Sequence, residues 1–141
     1  MMNATVVPDW TVAIVDDQPE ARELLTYALK TTFPRIKVLE PSSPGWLLDH
    51  LTTHPLSAVV TRYKLFGGMD GLLFSALLRS AGFAGPIIMV SNSEEVASQT
   101  RAAGINEFLS FERWSELPAR LALQLQTFAA DSTSDALQES A

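Results

Sequence analysis

The sequence predicts an α/β fold: a doubly wound, five-stranded parallel sheet with helices on both faces. Three observations carry that expectation. Short apolar runs recur five times along the chain, and each is followed by a segment with helical spacing of its apolar residues. Pro, Gly, Ser, Asn and Asp punctuate the junctions. At 141 residues and 47% hydrophobic content, the chain can bury one core and form one domain. Strands covered on both faces read as continuous apolar runs, and their crossovers are right-handed.

The first strand is Trp10 to Val15 (WTVAIV), ending at Asp16-Asp17-Gln18-Pro19. Asp17 or Gln18 is placed to cap the next helix, and Pro19 suits a first turn, where its missing N–H would have had no partner. That helix runs to about Thr31, with Ala21, Leu24, Leu25, Ala28 and Leu29 on one face, and Pro34 stops it. Ile36 to Leu39 is a second strand, followed by a Pro/Ser/Gly loop and a short helix holding Trp46, Leu47, Leu48 and Leu51. Ser57 to Thr61 is the third strand and Met69 to Ala81 the third helix. Gly82 and Gly85-Pro86 lead to the fourth strand, Ile87 to Val90. Ser91-Asn92-Ser93-Glu94-Glu95 reads as a capped, acid-rich helix start, and Gly104 closes that fourth helix. Ile105 to Ser110 is the fifth strand. Ser115 to Ala129 is the fifth helix, with Pro118 in its first turn. The domain therefore spans 10–129, between an N-terminal extension (1–9) and a polar, frayed C-terminal tail (130–141).

Composition narrows the partners. Net charge is −6 and Lys and Arg do not cluster, which argues against nucleic acid and against an anionic membrane surface. There is no cysteine, so disulfides, thiolate metal sites and cysteine nucleophiles are excluded. No apolar run approaches the ~20 residues that span a bilayer. The first ten residues lack a basic leader with an apolar core. A cytoplasmic protein is the expectation.

Ligands of such a sheet sit beyond the carboxyl ends of its strands, where strand order reverses. The residues there are Asp16-Asp17, Tyr63-Lys64, Ser91-Asn92 and Phe111-Glu112. Together with VDDQPEAREL, GGMDGLLFSALLR, PIIMVS and AAGINEFLSF, in that order and at those intervals, the arrangement resembles the receiver domain of bacterial response regulators, which has a flavodoxin-like fold. The resemblance covers roughly Trp10 to Ala129. It implies a paired acid and a phosphoaccepting aspartate around a magnesium ion, with a Ser/Thr and a lysine gripping the phosphoryl group. Asp16 and Asp17 match the acid pair, Ser91 the hydroxyl, and Phe108 the aromatic that moves on activation. The phosphoacceptor position falls on Tyr63 and the lysine position on Phe111, with Glu112 in place of the following proline.

These departures remove the chemistry. A phenol with a pKa of ~10 is neutral at pH 7 and forms no acyl phosphate. Its presence strips one carboxylate from the metal shell, leaving Asp16 and Asp17 with a weak magnesium site at best. Phe111 deletes the cation that assists transfer. Asp16-Asp17 then reads either as a helix-capping turn or as a residual cation site, with Arg62 or Lys64 as candidate internal counter-ions. Ser91 and Asp70 read as capping residues. Tyr63 and Phe111 either stack to fill the vacated pocket or simply cover the sheet end. His50 and His54 have a metal-compatible spacing but no third ligand nearby, which favours helix-end histidines.

The resemblance thus implies a stand-alone pseudo-receiver: a non-enzymatic, phosphorylation-independent adaptor without an output domain. Its partner would be a histidine kinase or another regulator, with homodimerisation also open. The implied surface comprises Glu94, Glu95, Gln99, Arg101, Glu107, Phe108 and Trp114, joined by Glu112 and Arg113. Trp114 is either a binding hot spot or a packing residue. The alternative is a conventional single-domain regulator phosphorylated on another aspartate, Asp16, Asp17 or Asp70. A small-molecule or enzymatic role ranks last, because no base, nucleophile and oxyanion donors occur together.

Overall fold

The protein is described by a computed structural model covering residues 9–140, with side chains from Asp9 to Ala129. Of the N-terminal extension, all but Asp9 lies outside the described residues. Strands β1 (Thr11–Val15), β2 (Lys37–Leu39), β3 (Ala58–Thr61), β4 (Ile87–Ser91) and β5 (Glu107–Ser110) alternate with α1 (Pro19–Thr32), α2 (Pro44–Asp49), α3 (Gly71–Ser80) and α4 (Leu117–Ser140). The sheet is wholly parallel, in the order β2-β1-β3-β4-β5. The predicted fold class is the one observed.

Alternation along each strand divides the core into two layers. Val12, Ile14, Val60, Ile88, Val90 and Leu109 face α1 and α4, where Leu25, Leu29, Leu117 and Leu121 meet them. Ala13, Val15, Val59, Ile87 and Met89 face the other way, onto Leu47, Phe74 and Leu78 of α2 and α3. Burial on both faces explains the continuous apolar runs of the central strands β1, β3 and β4, whereas the edge strands β2 and β5 are only partly buried and carry Lys37 and Glu107.

Three local expectations are corrected. The fourth helix is instead a pair of 3₁₀ segments, Glu94–Gln99 and Arg101–Ala103, without a side-chain cap. Only Val96 and Thr100 are buried there, so too little apolar surface exists to stabilise a regular amphipathic helix. At the start of α1, neither Asp17 nor Gln18 supplies a capping side chain; Asp16 Oδ1 accepts the Gln18 amide instead. At the other end of the chain, a 3₁₀ turn (Phe111–Glu116) precedes α4, which runs past Ala129 to Ser140. No Gly or Pro follows Pro118 to interrupt it. Among the described residues, no helix is long and apolar enough to cross a membrane.

Candidate functional site

Strand order reverses between β1 and β3, and this junction builds the site. Val15 pairs with Thr61, and the Arg62 amide donates to the Val15 carbonyl (3.1 Å). One step further, Asp16 lies beside Arg62. The Asp16 residue is only 6% exposed. Its Oδ1 accepts from the Gln18 amide (2.9 Å) and from Arg62 Nη1 (3.4 Å). Burial pushes the Asp16 carboxyl above its ordinary pKa; the Gln18 N–H and Arg62 oppose that rise, and Asp17 adds to it. Arg22 Nη1 donates to the Asp16 backbone carbonyl (2.7 Å), while its Nε pairs with Glu40 Oε1 (3.2 Å). Arg62 is thus the internal counter-ion; Lys64 is exposed and makes no ion pair among the described residues.

Tyr63 and Phe111 do not stack. Tyr63 packs on the α2/α3 layer and Phe111 on the α1/α4 layer, on opposite sides of the sheet. Strand parity dictates this: Tyr63 follows Val59 and Thr61, whereas Phe111 follows Leu109. The phenol and the phenyl ring therefore close the sheet end independently. Ser91 is buried, and its Oγ accepts the Ser93 amide (3.1 Å), so the hydroxyl holds the loop after β4. Asp70 Oδ1 accepts the Leu73 amide (2.9 Å) and caps α3.

Two cavities of about 210 Å³ flank Asp16 and Arg62. One is bounded by Arg62, Ser91, Asn92 and Phe111. The other holds Asp16 and Asp17 below Pro41, Ser43 and Phe66. The magnesium implied by the resemblance does not fit this donor set. Asp16 Oδ1 already takes two donors, a guanidinium is one of them, and the position of the third carboxylate carries a phenol. No group of three His, Cys, Asp or Glu converges among the described residues. His50 and His54 sit at the end of α2, where His50 Nδ1 meets the Trp46 carbonyl (2.7 Å) and its ring stacks on Trp46 at 4.0 Å.

The expected surface is narrower than its sequence list. Glu94, Glu95, Gln99, Arg101, Glu112 and Arg113 are exposed. Glu107 is held by Arg120 (2.5 Å) and Gln124 (3.0 Å) on α4, so it joins helix to sheet rather than facing a partner. Phe108 packs on the α2/α3 layer, and Trp114 on the α1/α4 layer beside Phe111. Trp114 is therefore a packing residue. Sequence reasoning missed Arg22 and Arg79, which join backbone carbonyls to the side chains of Glu40 and Asn106 across separate segments, contacts that local patterning does not register.

Comparison with known proteins agrees with this geometry. Residues 12–113 match the family model for the response regulator receiver domain. A curated relative, the cyclic di-GMP phosphodiesterase response regulator RpfG of Xanthomonas campestris pv. campestris, is 31% identical over 120 residues. That stretch covers 82% of this chain but 32% of the relative, so the chain spans about a third of its length. Full-length FixJ from B. japonicum superposes with a TM-score of 0.80 at 18% identity, covering 95% of this chain and 66% of FixJ. The Francisella response regulator 1452 receiver domain gives 0.67 at 20% identity, covering 84% and 98%. The fold, the order of the motifs and the family match converge: the chain belongs to the response regulator receiver family of two-component signalling.

Proposed function

We propose that this receiver works without phosphorylation, as a non-enzymatic adaptor that presents a fixed surface to another signalling protein. One observation carries the reading. The nucleophile and lysine positions hold Tyr63 and Phe111, each packed into a different layer of the core. A receiver ordinarily uses the phosphoryl group to shift a two-state equilibrium. Here no carboxylate stands at the acceptor position, and of the two remaining acids Asp16 is paired with Arg62. The surface is then set by packing, or by the partner itself.

The exposed residues along the 94–103 segment and the turn after β5 form that surface, with Glu94, Glu95, Arg101, Glu112 and Arg113 among its charged positions. Histidine kinases or other regulators are the partner class, and self-association through the same face belongs to the same reading. Intact-mass measurement after incubation with magnesium and acetyl phosphate tests it. An unchanged mass supports the adaptor, provided the protein remains folded; a gain of one phosphoryl group points instead to an acceptor at Asp16, Asp17 or Asp70 and removes this reading.

A further inference from the structure

We propose that Arg62 is a tethered counter-ion standing in the electrostatic place of a divalent cation, and that its charge closes the Asp16–Asp17 cavity to metal. The inference deepens the reading of the same site. Arg62 follows directly on β3, so its backbone is held by the Val15 carbonyl and its side chain is aimed by strand parity at the face Asp16 occupies. Arg62 lines the neighbouring cavity together with Ala21, Val90 and Phe111. The side chain is 24% exposed and that of Asp16 3%, so the pair is mostly withdrawn from solvent and screened little by salt.

An ion entering the Asp16–Asp17 cavity, where Arg22 is engaged by the Asp16 carbonyl and Glu40, meets a carboxylate whose Oδ1 already has two donors, one of them Arg62 Nη1 at 3.4 Å. It would have to displace the guanidinium or coexist with it at a separation where like charges repel strongly. Magnesium is also reluctant to shed water for so poor a shell. Asp17, half-buried and lining the same cavity, is without an ion pair among the described residues. It is the ligand that becomes usable once Arg62 no longer dominates the site. Phe111 supports the same conclusion: with no lysine on the far side, Arg62 is the cation that balances Asp16.

Mn²⁺ is the probe, read by water-proton relaxation and by the shift in thermal midpoint. Wild type is expected to bind Mn²⁺ no more tightly than its Asp17→Asn variant does. Arg62→Leu should raise Mn²⁺ affinity by roughly tenfold or more, and Asp17→Asn added to that variant should remove the gain. Arg62→Gln, which keeps a hydrogen-bond donor near Asp16 without the charge, serves if Arg62→Leu does not fold. Binding to wild type that Asp17→Asn abolishes would overturn the inference, as would Arg62 variants as inert as wild type. Metal binding and phosphoryl uptake are read separately, so failure here is told apart from failure of the adaptor reading.

Discussion

Arg62 Nη1 stands 3.4 Å from Asp16 Oδ1, two residues 46 positions apart that meet only because β1 and β3 are neighbours. The carboxylate also accepts the Gln18 amide, and with both donors in place burial still dominates its titration. Asp16 is therefore an acid held at some cost to stability. That has measurable consequences.

The first consequence concerns pH. The folded-state pKa of Asp16 is raised, above an unfolded value of about 3.9. Between the two, the folded state binds more protons than the unfolded one, so this group's contribution to stability falls as pH rises through that window. Asp16→Asn keeps an acceptor for the Gln18 amide and removes the charge. It should abolish this pH-dependent fall and raise the thermal midpoint at neutral pH. Urea midpoints of both proteins from acid to neutral pH check it; a less stable Asn variant at pH 7 would show that the Arg62 pair outweighs burial.

Arg62→Leu tests the same pair from the other side. It leaves a buried carboxylate with one donor. Breaking a fully buried pair costs ~3–5 kcal/mol, but Arg62 is a quarter exposed and the contact is long. The expected loss is about 1–2 kcal/mol, read by chemical denaturation. Combined with Asp16→Asn, it should cost less than alone, since no unpaired charge then remains.

Arg79 predicts a larger effect with no bearing on the site. Its Nη1 donates to the Phe83 and Gly85 carbonyls (2.8 and 2.7 Å), and Nη2 to the Gly104 carbonyl and Asn106 Oδ1 (2.8 and 2.9 Å). Asn106 Oδ1 in turn accepts the Ile87 amide (2.8 Å), so one guanidinium ties α3 to the entries of β4 and β5. Arg79→Lys cannot reproduce the planar fork. A loss of roughly 2–3 kcal/mol is expected from denaturant midpoints. A change under ~0.5 kcal/mol would mean that those carbonyls find water instead.

Gly71 is the tightest point of the loop that would carry phosphoryl chemistry. Its amide donates to the Tyr63 carbonyl (2.6 Å), and a Cβ there would collide with the Arg62 carbonyl oxygen and approach Met89 Cε to 2.7 Å. Gly71→Ala should cost about 2 kcal/mol or more. It should also displace Arg62, so Asp16-dependent pH behaviour changes with it.

Repair of the phosphoryl site is expected to need three substitutions. Tyr63→Asp and Phe111→Lys restore the nucleophile and the cation, but Arg62 still occupies Asp16. Intact mass after acetyl phosphate and magnesium should remain unchanged, or nearly so, for that pair. Addition of Arg62→Leu should then permit uptake. Substantial labelling of the double variant would show that the guanidinium yields to metal.

Much of this molecule was legible in one dimension. Apolar runs specified the parallel sheet because its central strands, β1, β3 and β4, are buried on both faces, and the MDG and AGxxEFL anchors placed Tyr63 and Phe111 by counting. Asp70 at the head of α3 was readable as a cap because capping depends only on neighbours three residues away. Contacts between distant segments decided the rest. Which side of the sheet each aromatic covers follows from strand parity across separate strands, so the stacking of Tyr63 on Phe111 was excluded only once both strands were in place. Trp114 and Glu107 look like surface residues until α4 packs over them. Arg62 and Lys64 share strand parity, so the choice between them as counter-ion to Asp16 rested on register alone: pairing of Val15 with Thr61 sets Arg62 beside Asp16, while Lys64, two residues further on, forms a backbone β-bridge with Asp70.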